Sequence, residues 1–232
     1  KYIQKLLDEG KAFWCHHSEE ELEKERQEQL VKKAIPRHVC EYKIKNQKVK
    51  DKSEERGIIR LAVNENSDRK IKFHDLIRGG IEFEERLLED FSIAKDIETP
   101  LYNFAAAIDD YEMEISHVIR GEEHIANTPR QILIQEALGF EMPAYAHLPL
   151  LLGPDKSKLS KRNGAVSLNE YKKMGYLPEA LANFICLLSF TMPDGREIVA
   201  MKELVDVFDL LKVHKSGAVF DMKKLDWMNG EY

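Results

Sequence analysis

The sequence predicts an α/β protein: a doubly wound parallel sheet, preceded by a small α+β unit and followed by a helical segment. Three observations carry that expectation. Between residues 104 and 152 an apolar run, a strand, a capped helix and a second apolar run succeed one another, the order from which such a sheet is wound. Residues 15–98 mix one charged helix with short alternating strands, and residues after 167 show helical caps and helical spacing only.

The chain opens at Lys1-Tyr-Ile-Gln-Lys-Leu-Leu7, already amphipathic at helical period, and Gly10 ends that helix. Ser18-Glu-Glu-Glu21 is a capping box that opens a charged helix to about Ala34, with Pro36 beyond it. Two short arms flank this helix, Cys15-x-His17 and His38-x-Cys40. If the chain after the helix returns the second arm to the first, thiolates and imidazoles meet in the set that tetrahedral zinc prefers. The gap within each arm is tighter than in common zinc fingers, and scattered surface His with buried Cys is an equal reading of these four letters.

Residues 57–63 and 70–74 read as two strands of a hairpin across the turn-rich Asn64-Glu-Asn-Ser-Asp68, and residues 89–94 as a further short strand. Lys43 to Lys52 and Arg69 to Lys72 give this unit a basic rim, where RNA backbone contact is expected if there is any. Residues 104–108 suit a buried parallel strand. Ile115-Ser-His-Val-Ile-Arg120 gives the next strand and runs into Gly121-Glu-Glu-His124. Thr128-Pro-Arg-Gln131 starts a helix with Thr as cap, Pro first and Gln closing the box, and Gly139 ends it. Ligands of doubly wound sheets sit beyond the carboxyl ends of the strands. That places Arg120, Gly121, Glu122, Glu123 and His124 at the expected site. Ser167-Leu-Asn-Glu170 caps a helix ended by Gly175, Pro178 starts another through Leu188, and residues 201–208 and 222–228 follow as helices.

The chain has 232 residues, a third of them charged, with a net charge of -6. Such a balance argues against a protein that coats nucleic acid, and confines any RNA contact to one face. Three cysteines are too few for a disulfide framework, so a reducing, cytoplasmic setting is expected. Cys186, within Phe184-Ile-Cys-Leu-Leu188, reads as an inert core thiol. No apolar stretch approaches the length of a membrane span.

One segment stands apart. Asp155-Lys-Ser-Lys-Leu-Ser-Lys-Arg-Asn-Gly164 sets Lys156, Lys158, Lys161 and Arg162 among Ser and Gly, and reads as a mobile basic loop. Lysines on flexible stems, hydroxyls and backbone amides suit polyphosphate. On charge alone, a solvated surface run is the more economical reading.

The order of residues changes that balance. Lys158-Leu-Ser-Lys-Arg162 resembles the KMSKS motif of class I aminoacyl-tRNA synthetases, in the form common in glutamyl-tRNA synthetases. With Asp75-Leu-Ile-Arg-Gly79, Thr99-Pro-Leu-Tyr-Asn103, Val118-Ile-Arg-Gly-Glu-Glu-His124, Met192-Pro-Asp-Gly-Arg-Glu-Ile198 and Phe220-Asp-Met-Lys-Lys-Leu-Asp-Trp-Met-Asn-Gly230, essentially the whole chain resembles a bacterial-type glutamyl-tRNA synthetase. The resemblance implies a partial Rossmann-type nucleotide-binding domain. Residues 1–14 would end its first half and 99–152 form its second. Residues 15–98 would be an inserted tRNA acceptor-binding domain, and 153–232 the KMSKS loop with a helical stem-contact domain.

It implies ATP with Mg2+ and glutamate as substrates, tRNA(Glu) as partner, and a monomer. Lys158 and Lys161 would stabilise charge on the phosphates, with Ser160, Arg162, Glu123 and His124 also near the nucleotide. Arg120 would grip a carboxylate of glutamate, and Tyr102 would line the same pocket. The resemblance also favours structural zinc on Cys15, His17 and Cys40, with His38 as fourth ligand and Tyr42 its competitor. No His-x-Gly-His occurs here, no anticodon-binding domain follows Tyr232, and Leu101 and Ala106 replace polar residues often seen in the substrate segment. The chain is therefore expected to be an internal fragment that does not activate glutamate alone. A glutaminyl or glutamyl-queuosine relative and a non-catalytic tRNA-binding module are the alternatives.

Overall fold

The computed structural model describes residues 1–33, 36–45, 57–159 and 167–232. By the density of their internal contacts they fall into two units. The first comprises Lys1–Phe73, Gly80–Val118 and Ile125–Pro143, the second His74–Gly79, Ile119–His124 and Ala144–Tyr232. Among the described residues no helix is long and apolar enough to cross a membrane.

In the first unit, helix α1 (Tyr2–Asp8) leads through Gly10, at φ +68°, into strand β1 (Ala12–Cys15). Helix α2 (Glu19–Val31) carries the expected capping box: the Ser18 hydroxyl accepts from the Glu21 amide, and the Glu21 carboxylate accepts from the Ser18 amide. None of its residues is buried. Helix α3 (Tyr42–Lys45) follows, and strand β2 (Ile58–Leu61) pairs antiparallel with β1, Cys15 opposite Ile58. Strand β5 (Ser92–Ala94) completes a three-stranded sheet of order β1-β2-β5.

The expected hairpin of residues 57–63 with 70–74 does not form. Strand β3 (Lys70–Asp75) belongs instead to a four-stranded sheet of order β4-β3-β7-β6, beside β4 (Gly79–Glu84), a strand the sequence reading omits. Period-two alternation identifies a strand but not its partner, and the turn at residues 76–78 competes successfully with the one at 64–68.

A second correction concerns residues 104–108, expected as a strand. They lie inside helix α4 (Tyr102–Glu112), which buries Phe104 and Ala107. A short apolar run cannot be told from one face of a helix by periodicity, and three consecutive alanines favour the helix. Strand β6 (His117–Gly121), helix α5 (Thr128–Leu138) and strand β7 (Ala144–Leu148) then follow in the expected order, with β6 beside β7. Asn127 rather than Thr128 occupies the cap of α5, and Gln131 donates to Asn103 Oδ1 at 3.3 Å instead of closing a box. Gly139, at φ +76°, ends the helix.

Strand β7 stops before Pro149, which lacks a ladder donor. Residues 148–152 are therefore not one strand: β8 (Leu151–Leu152) pairs in parallel with β9 (Ala218–Val219). The expected helices of the last segment form, with β9 as an unexpected strand among them: α6 (Leu168–Lys173) with a Ser167/Glu170 capping box, α7 (Pro178–Ser189), α8 (Met201–Val207) and α9 (Met222–Glu231). Tyr171, Leu181, Phe184, Phe220, Leu225 and Met228 form its main core. Cys186 is partly buried against the neighbouring cluster of Phe190, Met192, Val199 and Leu204, and burial pushes its thiol pKa up.

Candidate active site and metal centre

In the second unit, β6 delivers Arg120 to the start of a 3-10 turn, Glu122–His124. The guanidinium of Arg120 is held on two sides by residues of one face of β7. Its Nε donates to His147 Nε2 at 3.2 Å, and its centre lies 5.8 Å from the ring of Tyr145. Behind His147 lies Asp75, whose Oδ2 is 2.6 Å from His147 Nδ1; both side chains are fully buried. Asp75 Oδ1 accepts the backbone amides of Ile77 at 2.9 Å, Arg78 at 2.8 Å and His147 at 3.3 Å. Burial alone would raise the Asp75 carboxyl; these donors and the imidazole outweigh it and hold the pKa below the usual carboxylate value. The His147 pKa is lowered, chiefly by burial, against the pull of Asp75, with Arg120 adding to the lowering.

A second brace stands beside the first. Arg78 donates from Nε to the His147 carbonyl at 3.2 Å and pairs with Glu122, whose other oxygen accepts the Leu150 amide at 3.0 Å. The motif Asp75-Leu-Ile-Arg-Gly79 is thus a turn that clasps β7 from both of its charged residues.

Glu123 reaches Lys158, 3.2 Å away, in a pair with both side chains substantially exposed. The Glu123 pKa is lowered first by its own backbone amide and then by Lys158. The described half of the basic segment, residues 153–159, is a tight hairpin. Gly153 and Ser157 are joined by a backbone bond, the Asp155 carboxylate accepts from the Ser157 amide and hydroxyl, and Leu159 donates to Leu151. Lys158, three residues after Asp155, is presented from this hairpin and reaches through Glu123 to the 3-10 turn that follows the Arg120 strand. Ser160, Lys161 and Arg162 lie outside the described residues. His124 ends the 3-10 turn, partly buried. Tyr102 is the first residue of α4 in the other unit, and is exposed.

In the first unit, Cys15, His17, His38 and Cys40 come together, with all four donor atoms within 4.8 Å of one another. Cys15 Sγ lies 3.6 Å from His17 Nδ1 and 3.6 Å from His38 Nε2, and Cys40 Sγ lies 3.8 Å from His17 Nδ1. Tetrahedral zinc with ordinary Zn–S and Zn–N bond lengths requires sulfur–nitrogen edges of about 3.6 Å, so the donor set and its spacing fit that ion. Desolvation, with the neighbouring Cys15 adding, pushes the Cys40 thiol up to about 11. A buried second thiolate needs a cation. Behind His38, Nδ1 meets Glu25 Oε2 of α2 at 2.5 Å, leaving Nε2 for the cluster. The backbone leaves no room for error here: a Cβ on Gly57, at φ +134°, would stand 2.3 Å from the Cys15 carbonyl oxygen.

The sequence reading named the four cluster residues, Arg120, Glu123 and Lys158. It placed Glu122 at the same strand end, and did not single out Glu25, Asp75, Arg78 or His147. Asp75 and Arg78 lie in a quoted motif, and a histidine heading the apolar run 147–152 is the one signal that pointed to His147.

These two centres sit on the catalytic fold of a class I aminoacyl-tRNA synthetase. The family model for tRNA synthetases class I (E and Q), catalytic domain, matches residues 1–227, and the chain belongs to that family. Within it, the chain is 46% identical over 235 positions to the glutamate–tRNA ligase of Natranaerobius thermophilus, covering all of this chain and 48% of that protein. It is 49% identical over 237 positions to the glutamate–tRNA ligase of Aquifex aeolicus, covering 50% of it. The crystal structure of a glutamate tRNA ligase from Elizabethkingia meningosepticum in complex with its amino acid matches with a TM-score of 0.83 at 32% identity, over all of this chain and 52% of that one. The chain spans about half the length of the curated relatives it matches.

Proposed function

We propose that the protein containing this chain is a glutamate–tRNA ligase. Identity of 46–49% to such ligases across the whole chain carries the reading. In the first step the glutamate α-carboxylate attacks the α-phosphate of ATP and pyrophosphate leaves; in the second the terminal ribose hydroxyl of tRNA(Glu) displaces AMP. Arg120 supplies a planar pair of donors to a carboxylate of glutamate. Lys158 and Lys161 stabilise the charge that develops on the departing pyrophosphate, aided by Ser160 and Arg162. An exposed ion pair is worth little, so Glu123 can hold Lys158 near the site and release it to a phosphate. His124 lies at the nucleotide side, and Mg2+ enters with ATP. Residues 15–98 form an inserted acceptor-binding domain, and 153–232 contact the tRNA stem.

Cys15, His17, His38 and Cys40 would hold zinc, which supplies a structural cross-link and no open coordination position. Glu25 orients His38 by accepting its Nδ1 proton, as carboxylates commonly do behind metal-bound imidazoles. The substitution Glu25→Ala is expected to weaken zinc binding about 10- to 100-fold, read by competition with a chromophoric chelator. An unchanged affinity removes Glu25 from this role.

The function is tested by incubating the full-length protein with ATP, labelled glutamate or labelled glutamine, and either transcripts of glutamate and glutamine tRNAs or fully modified bulk tRNA. A base-labile glutamyl ester on the glutamate tRNA, with pyrophosphate released, is expected. Glutamine charging, glutamate attached at a base, or tRNA binding without any charging would each overturn the reading.

A further inference from the structure

We propose that Asp75 and His147 are positioning residues for Arg120, fixing the direction of the hydrogen bond that orients its guanidinium for the glutamate carboxylate. The inference rests on the reading of Arg120 given above. Arginine Nε can only donate, so at 3.2 Å His147 Nε2 must accept. A neutral imidazole that accepts at Nε2 carries its proton on Nδ1, where Asp75 Oδ2 waits at 2.6 Å. Three backbone amides on its other oxygen help to hold the carboxyl ionised, and an ionised carboxylate presents only an acceptor at Oδ2. Asp75, His147 and Arg120 therefore form one chain with a single sense, each bond setting the next.

Packing alone does not require this. Burying a carboxylate and an imidazole completely is costly unless both are satisfied, and an apolar pair would fill the space between β3 and β7 more cheaply. What the polar pair adds is direction. It ties the stem end of the guanidinium, while the ring of Tyr145, two residues earlier on β7, flanks its face. A 1 Å error in such a group costs on the order of 10²-fold in rate.

The test uses the full-length protein and separates direction from bulk. In Asp75→Asn the three backbone donors keep the amide oxygen where Oδ1 stood, so the amide nitrogen faces His147. The imidazole must then accept at Nδ1 and carry its proton on Nε2, donor against the Arg120 donor. Expected is a rise in the glutamate KM on the order of 10- to 100-fold, with the ATP KM moving less than about twofold. Adding His147→Gln to that variant supplies an acceptor that depends on no tautomer, and should recover most of the loss. A double variant worse than Asp75→Asn, or glutamate and ATP KM values rising together, overturns the proposal.

Arg120→Ala is the reference: if it leaves the glutamate KM unchanged, the reading of Arg120 fails; if it raises KM and Asp75→Asn does not, the positioning role fails. Should Asp75→Asn not fold, 15N NMR of the wild-type imidazoles decides. His147 as a neutral ring protonated on Nδ1 supports the proposal, and the Nε2 tautomer or an imidazolium sinks it.

Discussion

Arg120→Ala in the full-length protein is expected to lower kcat/KM for glutamate by on the order of 10²–10³-fold, mostly through KM. The size follows from what is removed. A carboxylate taken from water needs a charged, directional partner, and truncating one member of such a pair costs about 2–5 kcal/mol. Arg120 is suited to that task by its setting: its stem nitrogen is engaged by His147 and its face is flanked by Tyr145. Lysine should recover little of the loss although it restores the charge. An ammonium is a point donor and cannot bond His147 from the stem while presenting a planar fork to a carboxylate. Steady-state charging with glutamate varied at saturating ATP reads the effect. A glutamate KM within twofold of wild type would leave Arg120 as an ordinary strand-end cation.

The difference between what could and could not be read from the letters is physical. Helices α2, α6 and α7 are marked by local chemistry, a capping box or a leading proline, and local chemistry is written in consecutive residues. The run 104–108 misled because five apolar residues fit a buried strand as well as a helix face, and only packing decided. Strand β3 was legible as a strand, but its neighbour β4 begins with two glycines and alternates weakly, so its pairing was not. The same split runs through the sites. The four Cys and His residues of the candidate metal cluster stand as two short arms, each visible within three residues. Glu25 is one of many carboxylates on a helix with no buried face, and nothing along α2 distinguishes it. Asp75 and His147 are 72 positions apart and meet only because β3 and β7 run side by side, with Asp75 opposite Tyr145.

Removing zinc, by a strong chelator or by Cys40→Ala, is expected to lower the unfolding midpoint of the part of the chain around β1, β2 and β5 by about 10 °C. On the face of this sheet that carries Cys15 the core is small: Phe13, Cys15 and Cys40 are its buried members, with Tyr42, Ile58 and Ala62 partly buried against them. Two of the three are the thiols themselves. Trp14, Ile59 and Leu61 are buried on the alternate face, so it is on the cysteine face that a cross-link between the arms carries weight that apolar area does not. A metal present at a thousand times its Kd contributes about 4 kcal/mol, and each kcal/mol moves a midpoint by about 2–4 °C in a chain of this size. The molecule carries its own reporter. Trp14 lies buried on β1 next to Cys15, whereas Trp227 on α9 is exposed. In a Trp227→Phe background, chelation should therefore red-shift the emission, and restoring zinc should reverse the shift. Proton release should accompany reloading, because the Cys40 thiol, pushed up to about 11 without a cation, must ionise to bind one. Gly57→Ala should reproduce the metal-free spectrum with all four donors intact, since the added methyl would stand 2.3 Å from the Cys15 carbonyl oxygen and force that backbone aside. Purified protein holding no zinc, with Trp14 emission indifferent to both chelator and added zinc, would reduce the four residues to a packed cluster of thiols and rings.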